Sequence, residues 1–227
     1  MQHLSFHPGH EHASRRSSLA ALLAHPGFLI RQRTEGLELI GCEGANSYDI
    51  LDWNGRRAFF ARERLGGFWQ QFSRQFGGHT VNAFVVDVFD EAGRPVLTLS
   101  HPSSWWMQRI EVYSGHGRYL GSFEQCFTWL NKKMLIKGAD GRPRMEMDSQ
   151  FLSPWQHSFS RTTAPHPPVQ LARVEKQWEG VLRELFTDAD TFRLTYESGA
   201  CDVEDRALLL GAALFIDLVW FEHNANK

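Results

Sequence analysis

The segment Glu204–Glu222, EDRALLLGAALFIDLVWFE, constrains this chain more than any other. Leu208, Leu209, Leu210, Leu214, Phe215, Ile216, Leu218, Val219, Trp220 and Phe221 leave a helix here without a polar face. A helix at a protein surface shows an apolar stripe, and one that is apolar all round must be surrounded. Lipid and protein are the two candidate surroundings. A bilayer span takes ~20 apolar residues with few charges. Here the apolar run Ala207–Ile216 meets Asp217, and a carboxylate inside a membrane is costly and rare. The balance favours a helix buried by the rest of the chain, with insertion in lipid as the alternative. Asp202 is placed to cap its start, and Glu204 and Asp205 put acid in the first turn, where the helix dipole favours it. Gly211 costs about 1 kcal/mol relative to alanine in a helix interior, which close approach of a neighbouring backbone would offset.

From Phe28 to Tyr196 the pattern is that of strands. Apolar and aromatic runs flank short turns in which arginine directly follows glycine: Gly55-Arg56, Gly93-Arg94, Gly117-Arg118 and Gly141-Arg142. Short β-branched and aromatic runs separated by Asn-Gly, Ala-Gly, His-Gly and Asp-Gly predict successive hairpins. Ala61–His79 and Thr162–Pro168 read as longer breaks. Many antiparallel strands need closure to remove their edges, and an all-apolar helix needs an enclosing wall. A closed β-barrel with the helix through its centre meets both demands. Asp217 would then need a donor inside it, from a turn arginine, a tyrosine hydroxyl or a backbone amide.

Residues 1–18, with His3, His7, His10 and His12, read as a flexible tail; a loose metal site there lacks any fixed ligand spacing. Residues 19–227 read as one domain. Arg15-Arg16 precede an apolar run of only six residues, cut by Pro26-Gly27, so no signal peptide is expected. A short helix capped by Ser17 or Ser18 accounts for that run. Cys42, Cys126 and Cys201 form no C-x-x-C pair and no even set, which points to reduced thiols in the cytoplasm. A net charge of −2 argues against a basic nucleic-acid surface. No nucleophile–base spacing, H-E-x-x-H run or phosphate-cradling glycine loop appears, so no bond-making chemistry is expected.

The stretch Val174–Phe192, VEKQWEGVLRELFTDADTF, followed by Ala207–Glu222 closely resembles the C-terminal part of the phospholipid scramblase family. Phe28–Ile40, Asn46–Glu63, Glu91–Pro102, Gln108–Val112 and Tyr119–Gln125 follow the family pattern in the same order, so the resemblance covers about residues 19–223. It implies the tubby-C-terminal-like fold, a closed antiparallel barrel of about twelve strands around one hydrophobic C-terminal helix. It also implies calcium-dependent, ATP-independent movement of phospholipids between leaflets. At the position where animal members carry a palmitoylated cysteine run, this chain has Ser103-Ser104-Trp105-Trp106-Met107. Trp105 and Trp106 are candidates for an interfacial anchor, or for packing on the barrel or a partner.

Asp188 and Asp190, in DADTFRLTYESG, match the family's first two acidic calcium positions. Arg193 stands where a calcium loop wants glycine, and Gly199 where the family has aspartate. Either the site binds calcium weakly or the segment is an acidic turn. Two functions follow: a scramblase-family protein that moves or binds phospholipids at a membrane, or a cytoplasmic barrel that binds lipid, ligand or protein without scrambling. Nucleic acid ranks last among the partners.

Overall fold

A strand with one buried face alternates core and solvent residues with period two, and this alternation runs through the chain. The computed structural model describes residues 19–33, 47–64, 84–101, 109–127, 132–149, 155–162, 168–177, 191–197 and 199–216. Twelve strands follow in order: β1 (Gly27–Gln32), β2 (Ser47–Leu51), β3 (Arg57–Glu63), β4 (Phe84–Asp90), β5 (Pro95–His101), β6 (Arg109–Ser114), β7 (Tyr119–Phe127), β8 (Lys132–Gly138), β9 (Pro143–Ser149), β10 (Gln156–Arg161), β11 (Gln170–Gln177) and β12 (Thr191–Tyr196). Each pairs antiparallel with its sequence neighbours. The pairing of β1 with β12 closes the sheet into a barrel.

The four glycine–arginine turns share one backbone solution. They run Asp52–Arg56, Asp90–Arg94, Ser114–Arg118 and Gly138–Arg142. In each, the first residue's amide donates to the arginine carbonyl, and the glycine amide donates back to the first residue's carbonyl. Gly55, Gly93, Gly117 and Gly141 have φ of 77, 75, 78 and 74°, a left-handed conformation that side chains avoid. Asp52 and Asp90 brace their turns by accepting the arginine amide at 2.9 and 2.8 Å. The Arg56 amide bond is the main reason the Asp52 carboxyl titrates below its usual range. Burial alone would raise Asp90, but the Arg94 amide and guanidinium outweigh it and leave that carboxyl lowered too.

The helix α1 (Val203–Ile216) fills the barrel. Every residue from Ala207 to Ile216 is buried, including Leu208, Leu209, Leu210, Leu214, Phe215 and Ile216. Phe215 packs on Phe123 of β7 with ring centroids 5.3 Å apart. The remainder of the expected helix, with Asp217 and Trp220, lies outside the described residues. At Gly211 a Cβ would fall 2.8 Å from Leu99 Cδ2, 3.5 Å from Phe123 Cε1 and 3.7 Å from Val112 Cγ2. The space is therefore taken by wall side chains from β5, β6 and β7, not by the neighbouring backbone that the sequence suggests. A 3-10 turn, Ala21–Ala24, precedes β1; Ala20 leads into it without a side-chain cap, and Leu22 is fully buried. Ser17 and Ser18, the expected caps, lie outside the described residues.

Strand direction alternates, so the four tight turns and the start of α1 share one end of the barrel. Gln32, Glu63, His101, Phe127, Ser149, Gln177 and Ile216 end their elements at the other.

Candidate functional site

The tight-turn end is sealed by charge. Asp205, in the first turn of α1, is fully buried. Its two carboxylate oxygens accept separate 2.6 Å bonds, from Arg144 Nε at the start of β9 and from Arg161 Nη2 at the end of β10. Asp202 and Asp205 cap each other's amides reciprocally at 2.8 and 3.2 Å, satisfying donors that a helix start leaves orphaned. Arg144 also reaches Asp202 and Glu204, and Arg118, from the third tight turn, donates to Glu204 at 2.8 Å. Burial alone would lower the Arg144 guanidinium; Asp205 and Asp202 outweigh it and hold it above its ordinary value. On the other side of α1, Arg206 donates to the carbonyls of Leu22 and His25 at 3.0 and 2.6 Å, with its guanidinium 4.8 Å from the Tyr196 ring centre. Arg118 is thus a turn arginine that meets a carboxylate at the start of the helix; the donor expected for Asp217 concerns a residue outside the described ones. Cys201 lies in the same seal, its thiol donating to the Leu171 carbonyl at 3.1 Å, and burial pushes that thiol up to about 11.

The outer wall carries a second charged feature. On β11, β12, β1, β2 and β3, the residues alternating with core positions such as Val174, Leu194, Ile30, Ile50 and Phe59 point outward. Arg173, Arg193, Arg31, Arg33 and Arg62 stand on this face, and the register shift that sets Leu51 opposite Arg57 brings Arg57 onto it as well, against the carboxylates of Glu175 and Asp49 among the described residues. Asp49 is nearly buried beneath three of them, with Arg31 at 3.2 Å and Arg33 and Arg57 at 3.7 Å. Arg57 also lies 5.6 Å over the Phe60 ring, which stacks on Phe89 at 5.0 Å. The resulting surface is cationic and partly aromatic.

Toward the other end, His101 is buried at the end of β5 and stacks on Phe84 with ring centroids 5.2 Å apart. Burial holds its imidazole below the ordinary value. Trp105 and Trp106 fall between β5 and β6, and Asp188 and Asp190 between β11 and β12, all four outside the described residues. Thr191–Tyr196 is paired on both sides as β12. Arg193, which stands where a calcium loop wants glycine, is therefore a strand residue of the wall. Among the described residues no group of three His, Cys, Asp or Glu side chains is placed to hold a metal ion. No helix among them is long and apolar enough to cross a membrane.

A family model described as Scramblase matches residues 7–223. The chain belongs to the scramblase family. Human phospholipid scramblase family member 5 is 26% identical over 207 residues, covering 86% of this chain and 74% of that protein. Human phospholipid scramblase 2 is 29% identical over 204 residues, covering 86% and 67%. Mouse phospholipid scramblase 1 is 29% identical over 210 residues, covering 88% of this scramblase-family chain and 62% of the mouse protein. An X-ray structure of a protein from Arabidopsis thaliana aligns with 89% of this chain and 94% of its own, at 15% identity and a TM-score of 0.46.

Proposed function

We propose that this scramblase-family protein binds phospholipid from outside a closed barrel, through the cationic wall of β11, β12, β1, β2 and β3, and makes or breaks no covalent bond. The observation that carries the reading is the excess of arginine on that wall, in a chain whose net charge is −2. Each arginine near an anionic bilayer contributes about 1 kcal/mol of attraction, falling off within a Debye length. The relatives are named phospholipid scramblases, which supports phospholipid as the ligand. The filled barrel favours binding over insertion of α1, because extracting the helix would unmake the core that holds the wall. Any transbilayer movement of lipid then runs along the outside of the protein, passively and without ATP. In this reading Asp188 and Asp190 bind calcium weakly, and a cation there adds positive charge that favours anionic headgroups.

The test is co-sedimentation with vesicles of phosphatidylserine and phosphatidylcholine, against phosphatidylcholine alone, over a range of salt. Replacing Arg33, Arg62 and Arg173 by glutamine removes about 3 kcal/mol, roughly a hundredfold in affinity. Adsorption that ignores both salt and these substitutions would rule the reading out. Reconstitution with fluorescent lipid, with and without calcium, tests movement separately.

A further inference from the structure

Where β12, β1 and the first tight turn meet, the outer wall holds a cleft of about 360 Å³ lined by Leu29, Trp53, Arg193 and Thr195. Gly27 makes room for it. A Cβ there would fall 3.0 Å from Trp53 Cζ2 and 2.2 Å from the Leu194 carbonyl oxygen, so glycine lets the indole lie across the start of β1. Trp53 is nonetheless 51% exposed, and Leu29, beside it, is an outward-facing leucine only 7% exposed.

Arg193 stands opposite Leu29 on one side and Glu175 on the other. Glu175 is already engaged, accepting from Gln156 at 2.9 Å and pairing with Arg173 at 3.5 Å. The Nε of Arg193 is buried with no hydrogen-bond partner, and among the described residues no carboxylate pairs with its guanidinium. Arginine cannot shed its proton, so a fixed cation with an unpartnered Nε stands beside the Thr195 hydroxyl in a cleft whose other two walls, Leu29 and Trp53, are apolar. A guanidinium binds phosphate oxygens through two parallel N–H bonds. An indole with one face in solvent suits the boundary between a headgroup and its hydrocarbon. Pockets of roughly 300–1,000 Å³ with few polar groups among apolar walls are the usual size and make of small-ligand sites.

We propose that this cleft binds one anionic phosphate ester with an apolar tail, the phosphate on Arg193 and the Thr195 hydroxyl, the tail along Trp53 and Leu29. The proposal rests on the outer-wall reading for its choice of a lipid. It adds a single defined site that discriminates anionic from zwitterionic molecules one at a time.

The test uses soluble monomers and no membrane, so it can fail while vesicle adsorption persists. The full chain is titrated by calorimetry with dihexanoyl phosphatidic acid below its micelle concentration, dihexanoyl phosphatidylcholine and inorganic phosphate. Phosphatidic acid is expected to bind at least tenfold more tightly than the other two. Arg193→Gln and Trp53→Ala are each expected to weaken it at least tenfold, with melting curves confirming that both variants fold. Thr195→Val supplies a third variant should Trp53→Ala not fold. Equal affinity in Arg193→Gln overturns the site. Inorganic phosphate binding as tightly as phosphatidic acid overturns the apolar half, and with it the lipid; no binding of any of the three overturns the whole.

Discussion

Substituting Asp205 by alanine removes one carboxylate and leaves two arginines facing the barrel core. Asp205 is fully buried and takes a 2.6 Å bond on each oxygen, from Arg144 and Arg161. Breaking a buried pair by deleting one partner costs about 3–5 kcal/mol, mostly through the charge left behind. The two arginine side chains are 24 and 28% exposed, and Arg144 keeps Asp202 and Glu204, which sets the expected loss near the lower end, about 3 kcal/mol. For a chain of this length that is a fall in melting temperature of roughly 6–12 °C, measured by near-ultraviolet circular dichroism. Asp205→Asn, which keeps shape and some hydrogen bonding, should fall in between. If uncompensated charge is the cause, the triple change Asp205→Leu, Arg144→Met, Arg161→Met should recover most of the loss, because apolar replacement of a whole buried ion cluster is often neutral or stabilising. A fall below about 2 °C in Asp205→Ala, or a triple variant less stable than the single one, would refute the assignment of this cluster as the lock on α1.

His101 should impose a pH dependence. Burial lowers its folded value below the ordinary one near 6.5, so the unfolded chain takes up the proton first. Its contribution is fully present above pH ~6.5 and declines as pH falls toward the folded value. His101→Leu should flatten that part of the curve, read as the difference in urea midpoints at pH 7.5 and pH 5, and an unchanged difference would count against it. Phe215→Asp should abolish folding, because an unpaired buried charge costs several kcal/mol; a well-folded variant would show that α1 is not the core. Asp188→Ala with Asp190→Ala should remove calcium binding in calorimetric titration, and an unchanged isotherm would place any calcium elsewhere.

The barrel and its helix were legible because their signals are local. A helix apolar on every face and four glycine–arginine turns each lie within a few residues, and each needs only one structural answer. The reciprocal cap of Asp202 and Asp205 was half legible for the same reason, since both residues lie in one helical turn. Their arginines were not. Arg144 and Arg161 are 61 and 44 residues from Asp205 in sequence, and they meet it only because β9 begins and β10 ends at the rim where α1 starts. Arg193 illustrates the converse. Set in a chelating loop it is a misfit; set in β12, its position on the outer wall follows from the burial of Phe192 and Leu194 on either side. Its neighbour Trp53 belongs to the first tight turn, and only the closure of β1 onto β12 brings the two together.

The chain order of the barrel has a kinetic consequence. Every strand pairs with its predecessor except at the single seam of β1 with β12, so the hairpins can form as they are made, at low contact order. The core they are built around is α1, which follows all twelve strands in the chain. Until it emerges, Phe28 and Phe59 pack on each other across the wall, but Phe123 lacks the Phe215 ring that covers it in the finished barrel. A nascent chain of this protein therefore carries a nearly complete, unfilled wall, prone to aggregation, for as long as translation takes to reach α1.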